Sequence, residues 1–192
     1  IESLSKDNNE SKFLLEKRRD AYNLFSTSEI PKFVYGLGMS LDISDFNFND
    51  VNLNVKDKVI VKGDVDFNKN DNNIFGKVIK INDKFDEYLV IKVKDNSIIK
   101  EPVEIINNIN DSYIGHILIL IGNNCEVSFI ESIDGNGYFR SGFIEIIIGD
   151  NSKVNLASIQ NLGRDSYNFS KKKAILGKDS SLNWLDCCLG GK

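Results

Sequence analysis

In the last third of the chain, apolar and polar residues alternate with a period of two. Ile117, Ile119 and Ile121 lead to Gly122; Ile144, Ile146 and Ile148 lead to Gly149; Lys172, Ala174 and Leu176 lead to Gly177. A short polar turn follows each glycine: Asn123-Asn124, Asp150-Asn151 and Lys178-Asp179. Five and seven residues past each glycine the apolar positions return, as Val127 and Phe129, Val154 and Leu156, and Leu182 and Trp184. A period of two is that of a strand with one face buried. The glycines are 27 and then 28 residues apart. One unit therefore recurs: strand, glycine and polar turn, strand, longer polar connection. A unit this short cannot enclose a core alone, whereas stacked units share one. The pattern predicts a solenoid. A β-sandwich has short strands too, but no reason to keep the same in-facing offsets through three units. The absence of a six-residue apolar period argues against a left-handed hexapeptide helix. The glycine is expected to supply the positive φ of a sharp corner.

Upstream the period changes. Phe13, Leu14, Leu15, Arg18, Ala21, Tyr22 and Phe25 recur at helical spacings, with residues 16–20 on the solvated face, which predicts a helix over residues 11–25. Asn8, Asn9 or Ser11 would cap its start, and Pro31 would end any continuation. Beyond Asp50 no helical period remains. Short β-branched runs at 59–61, 78–81 and 89–93 predict strands, separated by turn clusters such as 68–73 and 95–96. The change near residues 47–50 sets the first boundary. The expected organisation is an N-terminal helical segment (1–49), a β-rich lead-in region (50–110) and β-helix repeats (111–192). Leu189-Gly190-Gly191-Lys192 stand where another turn would begin, so the repeats are expected to be truncated or to pair with another chain. The first residue, Ile1, suggests a start trimmed from a longer chain.

Composition agrees with a turn-rich β protein. Of 192 residues, 41% are hydrophobic, enough for a sizeable core; 25 are Ile and 24 Asn, against two Pro and four Arg. Ile suits buried strands and Asn suits turns. The net charge of −4 argues against a nucleic-acid binder that relies on excess cations. Apolar runs such as 117–121 fall far short of the ~20 residues of a membrane span. No secretory leader opens the sequence. Three cysteines, an odd number with two adjacent, make a poor disulfide framework, so a reducing cytoplasmic compartment is expected.

The candidate chemistry is sparse. Cys187 and Cys188 invite an iron-ligand reading, because thiolates bind soft iron. Adjacent residues on a strand point to opposite faces, however, and buried free cysteines commonly act as small hydrophobes. Cys125, in the turn after Gly122, is a weaker candidate still. His116, the sole histidine, has no Cys or carboxylate near it in sequence and reads as structural. Lys171-Lys172-Lys173 reads as a solvated charged edge rather than an anion site; Lys172 falls at an in-facing offset, from which its stem would reach outward. The stretch 135–137 is a turn with no helix behind it, hence no phosphate loop. Glu131, Glu145 and Asp186 are taken to occupy different register positions, which gives no acidic cluster. No catalytic, cofactor-binding or metal-ligating residue is assigned.

Several stretches together resemble the SufB/SufD family of iron–sulfur cluster assembly scaffolds. The helix through Arg18, Ala21 and Phe25, with Pro31 after it, is similar to the family's amphipathic leading segment. The usual Trp after that Pro is missing, though Phe33 and Tyr35 stand nearby. Lys100-Glu101-Pro102-Val103-Glu104-Ile105 resembles the strand leading into its β-helix. Ile117 to Ile121, Gly122 and Val127 to Glu131 resemble a strand, glycine turn and strand ending in Glu. Ala157-Ser158-Ile159-Gln160-Asn161 resembles its "IQN" stretch, and Ser180 to Trp184 and 189–192 follow in order. The resemblance implies a mainly β protein, a right-handed parallel β-helix preceded by an amphipathic helix. It implies a non-catalytic, cytoplasmic scaffold subunit. Its partners would be a second SufB/SufD-like β-helix, as homo- or heterodimer, and a SufC-like ATPase, with neither nucleic acid nor membrane. No cofactor is expected in this fragment, and a transient iron–sulfur cluster belongs to the full assembly. SufB-type chains commonly carry a further cysteine where this chain has Ile175, which leans towards SufD or an archaeal-type paralogue. The alternative is a carbohydrate-active β-helix, which would cluster carboxylates beside Tyr138, Phe139 and Tyr167.

Overall fold

The computed structural model describes residues 1–7, 12–28, 33–35, 39–41, 46, 59–69 and 88–191. It divides into two units, Ile1–Asn47 and Phe48–Lys192. The first holds helices α1 (Glu2–Asp7) and α2 (Lys12–Thr27) and an antiparallel pair, β1 (Phe33–Tyr35) and β2 (Met39–Leu41). Helix α2 forms where the helical period predicted it and runs two residues further than Phe25. Its last carbonyls are bonded from within: Thr27 Oγ1 donates to the Asn23 carbonyl (2.8 Å) and Ser28 Oγ to that of Leu24 (2.6 Å). Tyr22 and Phe25, on the apolar stripe, are exposed in this unit. The expected caps at residues 8, 9 and 11, the stop at Pro31, the boundary at 47–50 and the strand at 78–81 lie outside the described residues, as does most of the turn at 68–73.

The second unit is a two-sided solenoid. Ten of the described strands form two five-stranded sheets, alternating between them from β5 onward. One sheet has the order β12 (Ser181–Cys188), β10 (Lys153–Leu162), β8 (Glu126–Gly135), β6 (Val103–Ile109), β3 (Ile60–Lys62). The other has β11 (Tyr167–Leu176), β9 (Phe139–Ile148), β7 (Ser112–Ile121), β5 (Tyr88–Val93), β4 (Asp66–Lys69). From β5 and β6 onward neighbouring strands are parallel, whereas β3 and β4 run antiparallel to β6 and β5.

The register confirms the repeat read from the sequence. Val127, Val154 and Leu182 align on adjacent strands, as do Phe129, Leu156 and Trp184. Ile117, Ile144 and Lys172 align in the facing sheet, as do Ile119, Ile146 and Ala174. These columns line the interior: Ile119 and Ile146 are 0% exposed and Phe129 and Leu156 1%. The shared core is therefore columns of branched side chains facing each other between the sheets.

The corners correct one expectation. Gly122, Gly149 and Gly177 do not carry the positive φ. That falls two residues later, on Asn124 (φ 54°), Asn151 (φ 55°) and Asp179 (φ 54°), and on Asn96 (φ 61°) one turn earlier. Asn and Asp tolerate this region better than other side-chain-bearing residues. The glycines are needed for close approach instead. A Cβ on Gly149 would lie 2.7 Å from the Gly122 carbonyl carbon, and one on Gly177 2.8 Å from that of Gly149. Between them runs a ladder of side-chain carbonyl and carboxylate oxygens. Asp95 Oδ1 accepts from the Asn123 amide (2.8 Å), Asn123 Oδ1 from that of Asp150 (2.8 Å), and Asp150 Oδ1 from that of Lys178 (2.7 Å). The abundance of Asn thus has a structural use at the corners of Asn96, Asn124 and Asn151, with Asp179 taking its place at the next.

Candidate functional site

Following each in-facing column towards the strand ends, the core changes character. On β8 the column Val127, Phe129 continues to Glu131, 0% exposed. On β9 the column Ile148, Ile146, Ile144 runs back through Gly142 to Arg140, 3% exposed. The two meet between the sheets, Arg140 Nη2 donating to Glu131 Oε1 at 3.2 Å. Arg140 Nη1 also donates to Asn168 Oδ1 (3.1 Å) and Ser170 Oγ (2.7 Å) on β11. The Tyr113 ring, on the strand next to Arg140, sits 5.9 Å below the guanidinium. Room for both long side chains comes from the register pair Gly115 and Gly142. A Cβ at Gly142 would meet the Arg140 guanidinium at 2.5 Å, and one at Gly115 would overlap the Tyr113 hydroxyl. Sequence reading missed Arg140. Its signal was present, since Arg140 shares the parity of Ile144, Ile146 and Ile148.

Glu131 and Asp186 correct the reading that they stand in different register positions. Both lie nine residues past their corner glycine, and both align with Ser158. Glu145 is elsewhere, on the outer face of β9. Asp186 is ion-paired with Lys172 across the interior, and Lys172 Nζ sits 5.7 Å from the Trp184 ring centroid. Around this pair is a cleft of about 260 Å³, lined by Ser158, Gln160, Ser170 and Cys188 among others. Lys171 and Lys173 lie on the opposite, outer face. Lys171 stands over Phe143 (5.3 Å) and Lys173 bonds Glu145 Oε1 (2.6 Å). The three lysines do not converge on an anion.

The cysteines are held apart. Cys125 is buried, at the turn position that Ser152 and Ser180 hold in the next rungs. Its amide donates to Ser152 Oγ (2.9 Å) and its thiol to the Lys94 carbonyl (3.0 Å), which accounts for it structurally. Cys188 aligns with the in-facing Gln160, and Cys187 with the outward Ile159, so the adjacent pair faces opposite ways. Among the described residues, no three His, Cys, Asp or Glu side chains come together as a metal site.

His116 lies on the outer face of β7, 3% exposed, stacked on Phe143 with ring centroids 4.5 Å apart. A carboxylate remote in sequence is close in space: Glu145 Oε2 stands 3.7 Å from Nε2. Burial pushes the imidazole below its ordinary value, and Glu145 partly opposes the shift. The aromatic residues of the carbohydrate reading are split. Tyr138 and Tyr167 pair edge to face at 5.6 Å at one corner, while Glu145 is six residues along β9 and already paired with Lys173. Nothing supports that alternative.

The "IQN" stretch is explained by the rungs. Gln160 faces in and donates to the Gly190 carbonyl, while Asn161 faces out towards Asp134 of the preceding rung (3.5 Å). Residues 105–192, which include almost all of β6 and every strand through β12, match the family model described as the SufBD core domain of SUF-system FeS cluster assembly.

The solenoid part of the chain is therefore similar to the SufB/SufD core.

A relative in Staphylococcus saprophyticus, described as an iron–sulfur cluster assembly SufBD family protein, is 26% identical over 109 residues. The match covers 53% of this chain and 23% of that protein, so the chain spans about a quarter of the relative it matches. No solved structure matches it. None of the described helices is long and apolar enough to cross a membrane.

Proposed function

We propose that this chain serves iron–sulfur cluster assembly as a non-catalytic β-helical platform within a Suf-type complex. The observation that carries the reading is the coincidence of the SufBD core match, residues 105–192, with the parallel rungs of the solenoid. Most inward side chains of these rungs are apolar and packed against one another. What they offer a partner is a rigid stack with regular outer faces. Iron and sulfide are cargo of the assembly in this reading. The partners are a second β-helix of the same family and a SufC-like ATPase, which supplies ATP hydrolysis. The working compartment is the cytoplasm.

The test is anaerobic reconstitution with iron and sulfide, with the 192-residue chain alone and with a SufC-like ATPase and a SufB/SufD-like partner. Alone, the chain is expected to hold no stoichiometric cluster and to hydrolyse no ATP. With the partners, it should co-elute as a complex. A stoichiometric visible chromophore on the chain alone, lost in Cys187→Ser, would overturn the platform reading, as would failure to join the complex.

A further inference from the structure

We infer that the solenoid interior contains a built hydration site, at which at least one long-lived water is bound between Asn107, Glu131 and Arg140. These three side chains are among the most buried polar groups of the molecule, at 0%, 0% and 3% exposure. Glu131 and Arg140 bond each other through Oε1 and Nη2. That contact leaves Glu131 Oε2 and Arg140 Nε buried with no protein partner, and both amide atoms of Asn107 are in the same condition. Asn107 faces inward on β6, in register with Ile133, so it stands one strand over from Glu131 and two residues along.

The chemistry of the four atoms is complementary to water. Glu131 Oε2 and Asn107 Oδ1 accept hydrogen bonds, while Arg140 Nε and Asn107 Nδ2 donate them. A water molecule donates two and accepts two, and internal waters characteristically make about three bonds to buried groups left unsatisfied. A hydrophobic ligand would leave all four atoms orphaned. A further anion would repel Glu131, and a cation would compete with Arg140 for it.

The space is also arranged for side chains longer than the rest of the column. Gly115 and Gly142 form a register pair in the middle of two neighbouring strands, where glycine weakens a sheet. Their lack of a Cβ lets Tyr113 and Arg140 lie along the strands and not straight across the core. Bound water offsets much of the desolvation that a charge pair otherwise suffers in such a core. It explains how one rung can carry Glu131 and Arg140 between columns of Ile and Phe.

Oxygen-17 magnetic relaxation dispersion of the full chain detects internal waters with long residence times. The wild-type chain should show such a contribution. The double variant Glu131→Leu/Arg140→Met, with unchanged circular dichroism, should lose at least one water's worth of it. A high-resolution crystal structure should show solvent density within hydrogen-bonding distance of Glu131 Oε2 or Asn107. If the dispersion amplitude is the same in both proteins, or Asn107, Glu131 and Arg140 pair with other protein groups in the crystal, the inference fails. Because the measurement involves neither partner proteins nor iron, its outcome is separate from that of the platform reading.

Discussion

At each corner two residues divide the work. The glycine admits the preceding rung, and the Asn or Asp two places on supplies the left-handed backbone. The two roles respond differently to substitution. Gly149→Ala places a methyl 2.7 Å from the Gly122 carbonyl carbon and the Asn123 side chain, and should cost about 1–3 kcal/mol through overpacking. Asn151→Ala should cost about 1 kcal/mol, from its φ of 55°, and Asn151→Gly much less. Urea unfolding midpoints distinguish these; equal costs for Asn151→Ala and Asn151→Gly would contradict the division. The sequence showed where the corner lies because glycine recurs there. It could not show which residue bends, since close approach depends on the neighbouring rung. His116 gives a second expectation at this scale. Its imidazole resists protonation in the native state, enclosed by Phe143 and its strand, with Glu145 the nearby anion and Lys173 bonded to that same Glu145. The unfolded chain takes up this proton near the ordinary value, about 6.5, while the native chain needs a lower pH. The histidine therefore favours folding least in acid: its contribution falls as pH drops through the ordinary value, and the loss is complete below the depressed native value. His116→Phe keeps the stacking and should flatten the stability profile between about pH 7 and pH 5. An unchanged slope would show that another group titrates there.

Between elements, the informative bond joins the two sheets. Glu131 on β8 and Arg140 on β9 are nine residues apart and meet across the core. Removing one partner strands a buried charge, so Glu131→Leu alone should cost about 3–5 kcal/mol. Adding Arg140→Met should recover a large part of it. A double-mutant cycle by chemical denaturation measures the coupling, and additive costs would show that the pair is not coupled in solution. This site was only partly legible. The alternation that placed Val127 and Phe129 inside extends to Glu131, and that of Ile144 to Ile148 extends back to Arg140. A charged residue on an inward parity reads as an exception until a partner of opposite charge is seen on the facing strand. That partner is set by how one rung closes, which the 27-residue spacing constrains but does not reveal. The strand assignments themselves were legible, because period-two alternation needs no knowledge of the partner strand. The Glu145 beside His116 was hidden for the same reason, lying 29 positions away in the chain and one strand away in the sheet.

For the whole molecule, the stack sorts the three thiols by depth. Cys125 is 3% exposed and bonded at a corner, Cys187 is half-buried on the outer face, and Cys188 is exposed. Under native conditions an alkylating reagent should therefore modify Cys188 first, Cys187 more slowly, and Cys125 only as fast as the solenoid opens. Mass mapping over time checks this order; rapid modification of Cys125 would mean that the corner opens without the rung. The odd cysteine count read from the sequence thus reflects three unrelated environments.

One feature of the described strands gives the stack a polarity. On one flank the terminal strands β3 and β4 run against their neighbours, while on the other β11 and β12 run with theirs. A further winding with the same chain direction finds a parallel template only beside β11 and β12. Beside β3 and β4 the same winding would have to pair antiparallel, with perpendicular bonds in place of the slanted bonds of the parallel ladder. Reversing two short strands thus makes the two flanks unlike, so that the parallel ladder itself can be continued only beside β11 and β12.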